Sequence, residues 1–414
     1  MTFRRLEQRA VEGGARDARR AAWEAVTPPE GGRMLDRVLV LSASAGAGHV
    51  RAAQAIERAL AAAGAAREVR HVDALDHTTK LFRRLHQQAY LDLVNHAPEV
   101  LGWLYDYLDR PWRRQRRRLA LDKLNTRRFV RLLETYQPEW TICTHFLPAE
   151  IIGWLRAKTR LACRHAIVVT DLDVHAMWLT REVDRYFVAL EETRVHLERL
   201  GIPAEKITVS GIPVDPVFAE PKDRRAMRLQ HGLDPDRTTL LISAGGFGVG
   251  PIERLVRALL ELRHRVQAVA ICGRSAELKR RLDELARELP ADHPVALKVV
   301  GYTTAMDEYM AAADLLVGKP GGLTTSEALA KGLVLVIVNP IPGQEERNAD
   351  HLLEEGVAIR CNNLPALAYK IDRLLDDPVR LAAMQGNVGR LARPHAARDV
   401  VATLLRAEGA GSHD

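Results

Sequence analysis

Five short stretches of this chain carry the side chains best suited to chemistry, and each begins where an apolar run ends. In Ser42-Ala43-Ser44-Ala45-Gly46-Ala47-Gly48-His49 the small residues let the backbone approach a ligand, and a helix start offers free N–H groups to an anion. His49 is placed at the junction of loop and helix. An imidazole with an ordinary pKa of about 6.5 suits proton abstraction at neutral pH, although a helix-start residue bonded to its own loop has the same pattern. The stretch is not a dinucleotide fingerprint, which needs glycine where Arg51 stands, nor a Walker loop, since no Gly-Lys-Ser/Thr follows. Gly245-Gly246-Phe247-Gly248-Val249-Gly250-Pro251 has the form of a second anion-accepting turn. In Lys319-Pro320-Gly321-Gly322-Leu323-Thr324-Thr325-Ser326-Glu327-Ala328 a tight turn precedes hydroxyls, N–H groups and a carboxylate. Glu327 could accept both hydroxyls of a ribose, while capping by the hydroxyls accounts for the same residues without a ligand. Gln344, Glu345 and Asn348, after Asn339-Pro340-Ile341-Pro342-Gly343, suit the hydroxyls of a sugar. In Thr170-Asp171-Leu172-Asp173-Val174-His175-Ala176-Met177-Trp178 the alternation of Asp171, Asp173 and His175 invites a metal. A substrate-facing loop with Trp178 as an apolar platform is the better account, and His145 holds a similar loop position.

Short apolar strands alternating with helical segments must position these residues. Val38–Leu41, Thr141–Thr144, Ala166–Thr170, Tyr186–Val188 and Ile207–Ser210 read as strands of a first unit. Thr239–Ser243, Ala268–Cys272, Leu297–Val300, Asp314–Val317 and Val334–Val338 read as strands of a second. The alternation implies an α/β protein of two doubly wound parallel sheets joined near residue 215, with ligands at the carboxyl ends of the strands. Residues 1–33 read as a helical extension and linker, 34–215 and 216–405 as the two domains, and 406–414 as a tail. The last helix of the second domain is expected to pack back on the first. Gly211 to Pro216 should act as a hinge.

Composition narrows the class. The chain has 414 residues, 47% hydrophobic and 27% charged, which suits two or three globular domains. Leu333–Val338 is a run of six apolar residues, where a spanning helix needs about twenty. The start of the chain lacks the apolar core of a signal peptide. Cys143, Cys163, Cys272 and Cys361 form no CxxC pair and read as buried thiols of a cytoplasmic protein. The net charge of +7 is local, because residues 103–131 hold ten Lys/Arg against three Asp. Such a patch asks for an acidic partner. No nucleic-acid module accompanies it, so nucleic acid is not the expected one.

Taken in order, these motifs resemble the monogalactosyldiacylglycerol synthase and processive diacylglycerol glucosyltransferase family, related to the peptidoglycan N-acetylglucosaminyltransferase. The likeness rests on Ser44 to His49, Thr144-His145, Val169 to Trp178, Val209-Ser210-Gly211-Ile212-Pro213-Val214, Gly245 to Gly248, Lys319 to Ala328 and Pro340 to Glu345. It implies a GT-B fold, two Rossmann-like domains facing a central cleft, and an inverting sugar transfer from UDP-glucose or UDP-galactose with no metal or other cofactor. It assigns His49 as catalytic base and Glu327 to the uridine ribose. Gly246, Gly248, Thr324 and Thr325 would hold the diphosphate, Gly301 and Tyr302 the uracil, and Gln344 and Glu345 the sugar, with Phe247, Gly321 and Gly322 also on the donor side. Gly48, His145, Asp171 and Trp178 are then expected on the acceptor side.

The implied acceptor, diacylglycerol, lies in a membrane. Trp103, Trp112, Arg113, Arg114, Arg116, Arg117 and Arg118 combine interfacial aromatics with cations, and each cation near an anionic leaflet adds about 1 kcal/mol. The expectation is a cytoplasmic enzyme, peripheral on the inner face of the cell membrane, that makes a β-glycosyl glycolipid. Alternatives are a related transferase with another acceptor, a UDP-sugar epimerase, or a non-catalytic nucleotide-sugar or lipid-binding protein.

Overall fold

Unbroken aliphatic runs such as Val38-Leu39-Val40-Leu41 and Val334-Leu335-Val336-Ile337-Val338 have no polar face to show to water. They form strands covered on both sides, as parallel sheets require. The computed structural model describes residues 34–44, 46–79, 82–84, 93, 97–112, 125–243 and 252–409. In the first domain β1 (Leu35–Ser42), β2 (Ala66–Asp73), β3 (Trp140–Cys143), β4 (Arg164–Val168), β5 (Arg185–Val188) and β6 (Ile207–Val209) make one sheet, ordered β2-β1-β3-β4-β5-β6. In the second, β7 (Thr238–Ser243), β8 (Val266–Ile271), β9 (Val295–Val300), β10 (Leu315–Gly318), β11 (Val334–Val338) and β12 (Ala358–Cys361) are ordered β12-β11-β10-β7-β8-β9. Every pairing is parallel.

All ten expected strands lie in these sheets. The two that sequence reading passed over, β2 and β12, are edge strands. Ala-Arg-Glu-Val-Arg-His-Val-Asp pairs on one side only and keeps polar residues that a central strand would exclude.

Strand order reverses between β1 and β3 in the first sheet and between β7 and β10 in the second, and a crevice opens at such a reversal. Six helices bear on the site or its support: α1 (Ala47–Ala62), α2 (Pro98–Leu108), α3 (Phe146–Ala157), α4 (Gly322–Ala330), α5 (Gln344–Glu354) and α6 (Ala396–Gly409). The loop before α1 leaves β1, and the turn before α4 leaves β10, so both motifs sit at a reversal. α6 returns to the first domain. Its Ala397, Val400, Val401 and Leu404 are buried with Ala53, Ile56 and Leu60 of α1.

The domains touch closely beside the cleft. A Cβ on Gly322 would lie 2.2 Å from the Thr170 carbonyl oxygen, so only glycine permits this approach. Asn348, fully buried, accepts the Leu172 N–H at 2.9 Å and donates to the Pro320 carbonyl at 3.1 Å. One side chain thus ties the loop after β4 to the turn before α4. In the connection between the domains Gly211 has φ +85°, with Arg393 and Ala396 packed against it.

Candidate active site

His49 lies in the first turn of α1, which begins at Ala47. Its Nδ1 is 2.9 Å from the Thr144 carbonyl oxygen and 2.8 Å from Thr170 Oγ1. A carbonyl only accepts, so Nδ1 carries the proton and Nε2 keeps its lone pair. The His145 ring packs edge-on at 4.6 Å. Burial drives the His49 pKa down to about 4, partly offset by the Thr144 bond, so the ring is neutral at physiological pH. Thr170 bonds His49 with its hydroxyl and touches Gly322 with its carbonyl. The candidate base therefore stands one residue from the second-domain turn.

That turn is built to receive polar groups. The N-cap of α4 is Gly321, with no side-chain cap, so the N–H groups of Gly322, Leu323 and Thr324 remain available. Capping by the hydroxyls does not occur. The Ser326 hydroxyl folds back to the Gly322 carbonyl at 2.9 Å, and the Thr325 N–H joins the Gly321 carbonyl at 2.9 Å. Thr325 Oγ1 and Glu327 Oε2 are buried without a hydrogen-bond partner among the described residues. Glu327 Oε1 accepts from Arg51 of α1, across the cleft. Burial raises the Glu327 pKa to about 7 against the pull of Arg51.

The sugar-loop candidates reach the same place from α5. Gln344 Nε2 donates to Asp171, whose pKa burial raises to about 6. Glu345 accepts the Ile341 N–H at 2.7 Å, and its other oxygen would stand 3.6 Å from a Cβ on Gly321. Asn348 is buried, with its amide oxygen spent on Leu172 of the first domain and its nitrogen on Pro320 of its own, so it braces the loops instead of reaching for a sugar. Arg347, which sequence reading left unassigned, bridges Asp109 at 2.7 Å and Asp173 at 3.2 Å and lies over the Tyr105 ring.

Residues 49–214 match the family model of monogalactosyldiacylglycerol (MGDG) synthase, and residues 223–391 match that of glycosyl transferases group 1. A processive diacylglycerol beta-glucosyltransferase of Bacillus cereus (strain AH187) is 30% identical over 372 residues, covering 89% of this chain and 93% of that one. The chain belongs to this glycosyltransferase family. The Bacillus pumilus (strain SAFR-032) protein of the same name is 28% identical over 89% of this chain and 94% of its own length. MurG of Acinetobacter baumannii matches the fold with a TM-score of 0.61 at 19% identity, over 90% of this chain and 99% of its own. Anabaena Alr3699/HepE in complex with UDP-glucose matches at 0.51 and 15%, over 90% and 99%. The fold is GT-B, and the chain is a hexosyltransferase.

Not every expected site residue faces the cleft. His145 is 2% exposed and takes the Leu147 N–H on Nδ1 as the cap of α3, so it backs the His49 ring. Trp178, 4% exposed, is packed behind both histidines instead of offering a platform. Asp171, Asp173 and His175 do not converge: Asp171 turns to Gln344, Asp173 to Arg347, and His175 spans the Met177 N–H and the Tyr105 carbonyl. Gly48 lies at the cleft, where its Cβ would meet Leu323 at 3.6 Å. Tyr302, 63% exposed after Gly301 at the end of β9, is stacked by Arg274. Gly246, Phe247 and Gly248 lie outside the described residues.

Of the lipid-facing candidates, Trp103 is 64% exposed on α2, stacked on Tyr107, and Val100 beside it is also exposed. Trp112 is instead held by its Nε1–H on the Leu200 carbonyl at 3.1 Å, under Arg181. Arg113, Arg114, Arg116, Arg117 and Arg118 lie outside the described residues. Among the described residues no helix is long and apolar enough to cross a membrane.

Proposed function

We propose that this enzyme moves glucose or galactose from a UDP-sugar to the free hydroxyl of diacylglycerol at a membrane surface, with inversion, to give a β-glycosyl lipid. The observation that carries the reading is the His49 tautomer. Nδ1–H is fixed by Thr144, Nε2 is left as acceptor, and the ring stands beside the uncapped start of α4. Nε2 takes the hydroxyl proton as that oxygen attacks the anomeric carbon. The carbon–oxygen bond to UDP breaks on the opposite face, and its electron pair leaves with the diphosphate. Charge growing there meets the N–H groups of Gly322, Leu323 and Thr324, fixed in place before the reaction. Glu327 accepts the ribose hydroxyls, and Gln344 and Glu345 hold the sugar. Thr324 and Thr325 flank the diphosphate, a role the sequence motif also gives Gly246 and Gly248, with uracil at Gly301–Tyr302. The names of the curated relatives support the lipid acceptor and a β-linkage, and the UDP-glucose complex of a fold neighbour supports the donor class. Exposed Trp103 and Val100, with an arginine run following them in the sequence, support approach to an anionic leaflet, on the inner face of the cell membrane.

The test is product analysis. Enzyme, UDP-glucose or UDP-galactose, and diacylglycerol in anionic vesicles should yield one glycolipid whose anomeric proton couples as a β-linkage. An α-linked product would contradict inversion. Consumption of UDP-GlcNAc with no acceptor present would replace the transferase reading by an epimerase.

A further inference from the structure

Arg51 stands two residues beyond the candidate base on α1, and its guanidinium crosses the cleft to Glu327 Oε1. The pair is unequal: the Glu327 side chain is sealed at 2% exposure, and that of Arg51 keeps 42%. One guanidinium nitrogen makes this bond, and among the described residues the rest of the five-donor fork meets no partner. The second carboxylate oxygen, Oε2, is buried and also without one. Glu327 follows Thr324 by three residues on α4, a rise of about 4.5 Å along the helix axis, so the residue that holds Arg51 stands within one turn of the available N–H groups. Contact of Gly48 with Leu323 brings the two helix starts together.

A ribose has two vicinal hydroxyls, and a carboxylate that receives them side by side offers one oxygen to each. A hydroxyl arriving at Oε1 meets the Arg51 donor already there and, in a sealed pocket, crowds it. The displaced cation is then next to a diphosphate. We propose that Arg51 is a donor-binding residue that changes partner: it neutralises Glu327 before the donor arrives and turns to the diphosphate once the ribose takes the carboxylate. This inference rests on the nucleotide-sugar reading above. The exchange keeps a buried carboxylate from standing unpaired, which would be costly. It also brings a positive charge from the acceptor-side domain to the oxygen on which charge grows as the sugar leaves, so the contact is strongest in the transition state.

The proposal separates nucleoside from nucleotide. Dissociation constants of uridine and of UDP, measured calorimetrically on wild type, Arg51→Gln and Arg51→Lys, test it. Gln keeps an amide for Glu327 without the charge, and Lys keeps the charge without the fork. In Arg51→Gln, UDP should bind about ten- to a hundredfold more weakly, the scale of one charge-assisted contact, while uridine binds as well as before or better. Arg51→Lys should recover part of the loss for UDP alone. Equal weakening of uridine and UDP would overturn the proposal, because Arg51 would then only shape the Glu327 pocket. Unchanged UDP affinity would overturn it as well. Wild type that bound neither compound would sink the nucleotide reading itself, and the Arg51 role with it.

Discussion

Thr144 holds the His49 Nδ1 proton in the way a carboxylate does in other base-orienting pairs, but without adding charge. The ring keeps its direction and remains a weak base, with burial holding its pKa at about 4. His49→Ala should lower lipid glycosylation by about a hundred- to ten-thousandfold, the usual worth of a positioned base, and leave UDP affinity within about twofold of wild type. A matching loss of UDP binding would show that the residue holds the donor. Glu327 gives the pH signature. Its carboxyl ionises at about 7 in the fold and in the ordinary carboxylate range when unfolded. Between those limits the folded chain binds the extra proton, so Glu327 makes stability fall as pH rises through that window. Uridine has no titrating group there, and its affinity should rise with pH through about 7 as the carboxylate forms. Glu327→Gln should abolish that step; a step that persisted would belong to another group. At this scale the sequence was legible where chemistry is local. The start of α4 displays its glycines and carboxylate in one run, but the pairing of Arg51 with Glu327 spans 276 residues and leaves no trace in either neighbourhood.

Turns and helix starts carry the site because parallel strands end together and deliver their loops to one edge. Strand–turn–helix spacing therefore marks four of the described loops in the sequence. Their mutual fit was hidden. Asn348 reads as a sugar ligand from its neighbours Gln344 and Glu345, yet its partners are Leu172, 176 residues away, and Pro320, 28 residues away. Asn348→Ala would strand a buried N–H and a carbonyl. At about 1–3 kcal/mol for each unpaired group, thermal unfolding should show a clear drop in midpoint, and a midpoint within a degree of wild type would contradict the staple. Gly322→Ala tests the close approach directly. Its methyl cannot coexist with the Thr170 carbonyl at 2.2 Å, so the domains must part there. Small-angle scattering should report a larger radius of gyration together with lost transferase activity, and an unchanged radius would argue against the contact.

Over the whole molecule, alternation of strand and helix was enough to give two doubly wound domains, because buried parallel strands must be almost wholly apolar. The edge strands escaped since an edge tolerates the charges of Arg67, Glu68 and Arg70 in β2. The aromatic–arginine region was visible as composition, but composition could not tell exposed Trp103 from Trp112, which is anchored on Leu200. Trp103→Ala should weaken binding to anionic vesicles about tenfold, the worth of one large apolar side chain in the interface, and binding should fall as salt rises. Salt-independent binding that ignored Trp103 would move the membrane surface elsewhere. The most direct test of the central claim is UDP release from UDP-glucose and UDP-galactose, with and without diacylglycerol in anionic vesicles, by wild type and His49→Ala. Release that requires the lipid, favours one sugar and collapses in the variant is the predicted result. Lipid-independent release, or full activity without His49, would contradict it.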